Sequence, residues 1–341
     1  MSGARHDLIR QAVVMRSIGS SFVADVLEAG DRQLWRAPIT DTFLRNWSGD
    51  ASGAALGMRF NAALHALARE GRCAALSGLY ANDHRLFDAA VGEALAEHDA
   101  FIAERMRHPP QTNEVGRAAA LYAALMRAAA RFGLPFDLLE LGSSAGLNLN
   151  MARYGYRLGD TRCGDASSPV QIAPDWSGTS PDVADVTILS AHGVDMRPVG
   201  INEPSNRDLL RSFIFADQPA RAARLNAALQ VGQAYPPAVQ QEDAVDWLRQ
   251  RLEDAQPRGH CRAIFHSMFL QYLPLERRRL LIDMVEAAGR RADADRPLVH
   301  VAFEWDAGRD RVELQLTTWP DGETHLLALC HPYGAWIDWQ Q

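Results

Sequence analysis

Residues 136–150, FDLLELGSSAGLNLN, decide the fold. Phe136, Leu138, Leu139 and Leu141 make an apolar run of the kind a strand needs when both of its faces are buried. The run carries a carboxylate, Glu140, at its end and passes into a short turn of small residues, Gly142-Ser143-Ser144-Ala145-Gly146. Glycine at both ends of that turn lets the backbone take conformations closed to other residues and come close to a ligand. The residues beyond are expected to open a helix whose first N–H groups lack partners inside the helix. A strand, a glycine turn and a helix in this order form the layout of a nucleotide-cofactor site; small residues can also stand at such a turn for packing alone.

The same residues support two chemistries. Read as Glu140-Leu141-Gly142 followed by Gly146, the segment resembles the first motif of class I S-adenosylmethionine (SAM)-dependent methyltransferases. Read as Gly142-x-Ser144-x-Gly146, it resembles the nucleophile elbow of α/β-hydrolases, with Ser144 as nucleophile and Asp306 with His325 or His331 as later partners. The hydrolase elbow follows several strands already laid down. Here everything before it reads as helix.

That helical region is built from 21–29, 54–70, 86–107 and 113–132, which are rich in Ala, Leu and Arg at helical spacing. Gly30, Gly71 and Gly133 stand where helices are expected to end, and Pro109-Pro110 breaks the chain. From Phe136 onward strands alternate with helices, which predicts an α/β fold with a doubly wound parallel sheet. Strands are expected at 136–141, 185–191, 237–241, 262–270 and 298–304, and helices at 207–215, 220–231, 244–255 and 275–290. An antiparallel hairpin, 312–319 with 324–331, closes the sheet around Pro320-Asp321-Gly322. The expected organisation is a helical region or lid over 1–133 and a Rossmann-like domain over 134–341, with an irregular insertion at about 154–184 lying over the cofactor cleft.

The methyltransferase resemblance implies further site residues. Gly193-Val194-Asp195-Met196-Arg197-Pro198 is similar to the segment whose acid grips the SAM ribose, which points to Asp195. Glu242-Asp243-Ala244 is similar to the acid-alanine pair that meets the adenine amino group, although Asp243 is equally a helix N-cap. Glu140, Gly142, Ser143, Ser144 and Gly146 would complete the cofactor pocket, with Glu140 orienting the loop or meeting the methionine ammonium. Ser144 departs from the pattern, since many of these enzymes carry glycine there. Methyl transfer needs an acceptor held in line and, for an OH or NH acceptor, a base. His266 at the end of the fourth strand is the expected base, with Tyr272 facing the substrate or packing. Asn113 and Glu114, in the polar segment Gln111-Thr112-Asn113-Glu114, and Glu304 are the expected substrate contacts. Trp305, Trp319, Trp336 and Trp339 crowd the C-terminal region, for packing or for a planar ligand.

Composition limits the partners. The chain has 341 residues and a formal charge of −7, so no basic stripe is available to displace counterions from a nucleic acid. All 35 basic residues are arginine, which removes lysine Schiff-base and Walker-type chemistry. Cys73, Cys163, Cys261 and Cys330 are too scattered for a zinc site and read as reduced thiols, so no metal is expected. The first residues show no signal peptide or membrane span, so a cytoplasmic location is expected. Oligomeric state is not legible. The segment QTNE, LLELGSSAGLNLN, the FHS strand and the terminal HPYGAWIDW together closely resemble an uncharacterised family of bacterial proteins, a domain of unknown function. That resemblance implies a methyltransferase-like Rossmann fold with a helical N-terminal part and brings no substrate; SAM as cofactor and a small-molecule substrate are what the methyltransferase resemblance implies.

Overall fold

The computed structural model describes residues 5–341. They form two compact units, one reaching Thr112 and including Glu203–Ala223, the other made of Asn113–Asn202 and Arg224–Gln341. The first unit is helical. Its helices include Ser21–Gln33, Pro38–Arg45, Leu56–Arg69, Ala74–Tyr80 and Phe87–Met106. Gly30 does not end a helix: it lies within Ser21–Gln33, and a Cβ there would meet the Phe60 ring at 2.5 Å, so its role is close packing. Gly71 and Gly133, with φ of 66° and 61°, do follow helix ends. The short helices Pro38–Arg45 and Ala74–Tyr80 are additions, too brief to show a periodic pattern.

The second unit is a mixed α/β fold around a large, mostly parallel sheet. Its strands are β1 (Phe136–Leu141), β2 (Gly155–Leu158), β3 (Thr161–Gly164), β4 (Gln171–Ile172), β5 (Asp175–Ser177), β6 (Ile188–Asp195), β7 (Ala238–Gln241), β8 (Cys261–Ser267), β9 (Leu298–Trp305), β10 (Val312–Trp319), β11 (Glu323–Cys330) and β12 (Trp336–Trp339). The main sheet runs β5-β12-β11-β10-β9-β8-β1-β6-β7. The strands β7, β6, β1, β8 and β9 are parallel neighbours, and β9, β10, β11 and β12 continue as an antiparallel meander. The chain leaves β1 toward β6 and β7, then returns to β8 on the other side. The carboxyl end of β1 beside β8 is therefore the switch point at which open α/β sheets bind ligands.

Helices Ala244–Glu253 and Leu275–Gly289 cover one face of this sheet, burying Val245, Trp247, Leu248, Leu281 and Val285 against Leu139, Leu141, Val194 and Ile264. The helix Ala118–Phe132 belongs to this unit rather than to the helical one. Tyr122 on that helix stacks on Tyr156 of β2, ring centroids 4.5 Å apart.

Three sequence expectations change here. The second strand runs to Asp195 instead of ending at 191, because the parallel ladder with β1, Phe136↔Ile188 to Leu141↔Val194, carries His192 and Gly193 into the sheet despite their weak strand tendency. The insertion is not irregular: β2, β3 and β4 form a small sheet, and β5 pairs with β12 at the edge of the main sheet far from β1. Strands of two to four residues are too short to show alternation. The turn after β1 leads into a seven-residue 3-10 segment, Leu147–Arg153, and not into an α-helix.

Candidate functional site

The turn after β1 uses three left-handed residues, Gly142 (φ 72°), Ser144 (φ 54°) and Gly146 (φ 70°). Ser144 thus stands at a position whose backbone favours glycine. A Cβ at Gly142 would meet the Phe269 ring at 2.4 Å, and one at Gly146 would meet Pro237 and Val239 at 2.6 Å. The close approach these glycines allow is taken up by the protein's own side chains.

Most of the turn's N–H groups are likewise spent internally. Gly142 N and Ser143 N donate to Val194 O, Gly146 N to Ser143 O, and Ser144 N to Asp195 Oδ2 at 2.9 Å. Leu147 N, the expected anion donor of the following helix, donates to Asn113 Oδ1 at 2.7 Å. Asn113 therefore reaches the glycine turn as a cap. Asp195 also accepts from Arg197 N at 2.8 Å, so its carboxylate ties the end of β6 to the turn. The Ser143 hydroxyl donates to Glu140 O.

Side chains around the turn are less well satisfied. Glu140, Ser144 and Asn148 are 2 %, 6 % and 1 % exposed, and Glu140 Oε2, Ser144 Oγ and Asn148 Oδ1 are buried without a hydrogen-bond partner. Burial pushes the Glu140 carboxyl up to about 8, with Ser143 and Asn148 pulling the other way and the Asp195 charge adding to the rise. Unpartnered buried polar atoms are costly. Three of them stand together around this turn, at the switch point of the sheet.

Arg117 lies at the same edge. It is 5 % exposed; its Nε donates to Pro332 O at 2.9 Å and its Nη1 to Ser267 O at 3.2 Å and Ser267 Oγ at 3.4 Å. Sequence reasoning passed over Arg117 and Asn148. The available signal was an arginine directly before the Ala- and Leu-rich helix Ala118–Phe132, whose own arginines, Arg127 and Arg131, come only in its second half.

The remaining expected residues fall elsewhere. Glu114 accepts from Gly116 N at 3.0 Å and pairs with Arg224 at 3.3 Å. Asp243 caps the helix Ala244–Glu253, accepting from Val245 N and Asp246 N, and also pairs with Arg277. Of its two sequence readings, the structure displays the cap. Tyr272 ends the 3-10 turn Leu270–Tyr272 and is 40 % exposed.

His266 does not face the turn as expected. Register sets it beside Leu141 and Ala302, whereas Glu140 stands beside Phe265 and Gly193. Neighbouring strand residues alternate in direction, so Glu140 and His266 leave the sheet on opposite faces. His266 is fully buried. Its Nδ1 is 2.7 Å from Glu304 Oε1 and its Nε2 is 3.0 Å from His300 Nε2, which leaves neither nitrogen for a ligand at the turn. Glu304 Oε1 accepts further from Phe269 N and Leu270 N. Burial and then His266 push His300 down to about 3, so His300 is neutral. His300 and Glu304 line a cleft of about 860 Å³ between the helix Leu275–Gly289 and β9 to β11, with Glu286, Arg290, Asp306 and Arg311 at its sides. Trp319, also in its wall, packs where a Cβ on Gly289 would sit, and Trp339 lies against Trp176.

The hydrolase partners are not assembled. Among the described residues no group is hydrogen-bonded to Ser144 Oγ; Asp306 accepts from Asp310 N, and His325 lies beside Glu323. Among the described residues no group of three or more His, Cys, Asp or Glu is placed to hold a metal, and no helix is long and apolar enough to cross a membrane.

Residues 5–339 match the model of a family described as an uncharacterised protein conserved in bacteria, DUF2332, and the chain belongs to that family. No curated protein and no solved structure gives a significant match.

Proposed function

We propose that this DUF2332 member binds SAM at the turn 142–146 and transfers its methyl group to a small molecule. The observation that carries this reading is the set of buried, unpartnered acceptors Glu140 Oε2, Ser144 Oγ and Asn148 Oδ1 at the carboxyl end of the central parallel strand. The order β7-β6-β1-β8-β9 with an antiparallel continuation supports it, since it follows the strand plan of the class I methyltransferases through their five-strand parallel half. The residues fit the cofactor unevenly. Glu140, Ser144 and Asn148 are available to hold it; Asp195, the acid expected at the ribose, already accepts from Ser144 N and Arg197 N.

SAM supplies a methyl group already activated by its sulfonium. The chain's task is then to fix the acceptor, exclude water and accept a proton where the acceptor has one to lose. Neither His266 nor His300 is placed for that proton, because both lie on the sheet face opposite Glu140. The Ser144 hydrolase reading has one point in its favour, the left-handed backbone at Ser144, and lacks an imidazole to activate the hydroxyl.

Calorimetric titration tests the reading. SAM or S-adenosylhomocysteine is expected to bind, while NAD and ATP are not. Binding of neither sulfur compound removes the methyltransferase function.

A further inference from the structure

The cleft between the helix Leu275–Gly289 and β9 to β11 lies on the other face of the sheet from the glycine turn. Its floor is formed by His300, Ala302 and Glu304 of β9, beside which register sets Thr317, Gln315 and Glu313 of β10. A sheet face of this kind is polar along its whole length. The opposite wall is apolar, with Leu270, Ile282, Val285 and Trp319. His266 pairs with Ala302 in register and so points to the same face as His300 and Glu304.

Two acceptors of this floor are unfilled. Glu304 Oε1 takes three donors, His266 Nδ1 and the N–H groups of Phe269 and Leu270, while Glu304 Oε2 has no hydrogen-bond partner among the described residues. His300 is 9 % exposed and bonds through Nε2 to His266 Nε2 at 3.0 Å; its Nδ1 has no partner among the described residues. The network fixes what that nitrogen offers. A neutral imidazole has one donor and one acceptor. With one proton on each ring, His266 Nδ1–H donates to Glu304, His266 Nε2 accepts, and His300 Nε2–H donates to it. Burial and then His266 keep His300 neutral. The lone pair of His300 is therefore on Nδ1, the nitrogen left for a ligand.

Charge selects the class of ligand. Four carboxylates line the cleft, Glu286, Glu304, Asp306 and Glu313, against two arginines. Arg290 pairs with Glu286 at 3.6 Å, and Arg311 with Asp306 at 3.4 Å and Glu313 at 3.1 Å. Both cleft arginines are thus committed to acids. An anion would meet an excess of negative charge, whereas a cation gains from it.

We propose that this cleft is a second ligand site and takes an organic amine, whose protonated nitrogen donates an N–H to His300 Nδ1 while the surrounding carboxylates balance its charge and its apolar body lies along the Ile282, Val285 and Trp319 wall. Glu304 acts through His266 as a positioning residue for the His300 lone pair. No residue of the turn 142–146 takes part, so the inference goes beyond the SAM reading and does not depend on it.

The test uses the full chain and three probes with one apolar body. Phenethylamine, phenethyl alcohol and phenylacetate carry a positive, a neutral and a negative head. In calorimetry phenethylamine is expected to bind, phenethyl alcohol to bind at least about 10-fold more weakly, the scale for losing a charge-assisted hydrogen bond, and phenylacetate not to bind. His300→Phe is expected to weaken phenethylamine by about 10–100-fold. Glu286→Gln, which removes an exposed carboxylate, should weaken it by about 2–5-fold. Equal binding of the three heads, binding of none, or an unchanged affinity in His300→Phe overturns the proposal.

Should His300→Phe fail to fold, wild-type protein still decides. In protein labelled with nitrogen-15 at histidine, the coupling across the Nε2–Nε2 hydrogen bond identifies the pair by NMR. His300 is expected to carry its proton on Nε2, with an Nδ1 resonance that moves when phenethylamine is added. A proton on His300 Nδ1, or a resonance that ignores the amine, overturns the proposal. Saturating S-adenosylhomocysteine should leave the affinity for the amine unchanged, and competition between the two would overturn a separate site. Amine binding without SAM binding keeps this inference and removes the cofactor reading; SAM binding without amine binding does the reverse.

Discussion

Glu140 and His266 sit on adjacent strands one register step apart and have opposite surroundings. On His266's face, both imidazole nitrogens, the Glu304 carboxylate and the 268–272 turn are joined in one bonded network. On Glu140's face, the carboxylate, the Ser144 hydroxyl and the Asn148 amide each keep a buried atom without a partner. A satisfied buried network lowers the energy of the fold by itself. An unsatisfied one costs free energy until something binds, which is why the second region, and not the more conspicuous histidine pair, is assigned to the cofactor.

The contrast can be broken most directly by deletion on each side. His266→Ala leaves His300 Nε2 and Glu304 buried beside a cavity and is expected to destabilise the protein by about 2–4 kcal/mol. Ser144→Ala removes an atom with no partner and is expected to change stability by less than about 0.5 kcal/mol. Urea denaturation measures both; similar costs at the two positions would erase the distinction.

A second effect follows from pH. The folded Glu140 carboxyl titrates near 8, against about 4.3 for an unperturbed glutamate. Below both values it is protonated in either state and stability is unaffected. Between them the unfolded chain gives up its proton while the folded protein keeps it, so stability falls as pH rises, by at most about 1.4 kcal/mol per pH unit. Above about 8 the deficit is constant. Glu140→Gln should flatten the stability profile between pH 5 and 8 relative to wild type. An unchanged slope would show that Glu140 is ionised in the folded protein.

The smallest effect sharpens the assignment of Ser144. With its backbone at φ 54°, Ser144→Gly should stabilise by about 0.5–1 kcal/mol. A fluorophosphonate probe should leave the serine unlabelled, since no base activates it. Stoichiometric labelling would move the hydrolase reading ahead of methyl transfer.

How much of this could be read from the chain depends on whether the signal was local. The apolar run of β1 and the turn's glycines were legible because a strand buried on both faces and a left-handed turn each demand particular residues in sequence. Asn113 was legible as a polar residue in a segment leading to an apolar helix, although its role is to cap Leu147 and not to bind substrate. The opposite orientation of Glu140 and His266 was not legible, because alternation fixes faces within a strand while the pairing Leu141↔His266 is a tertiary fact. The edge strand β5 escaped for a related reason: three residues become a strand only through β12, which lies 159 or more positions along the chain. Arg117 was missed because a single arginine reads as solvated until its burial against Ser267 and Pro332 is seen.

The most direct measurement is a high-resolution crystal structure of the protein with S-adenosylhomocysteine. The account predicts the ligand over residues 142–146, with Glu140 Oε2, Ser144 Oγ and Asn148 Oδ1 each gaining a hydrogen bond and the His266–His300–Glu304 network unchanged. A ligand seated instead in the cleft at His300, or a turn whose three acceptors are filled by ordered water alone, would contradict it.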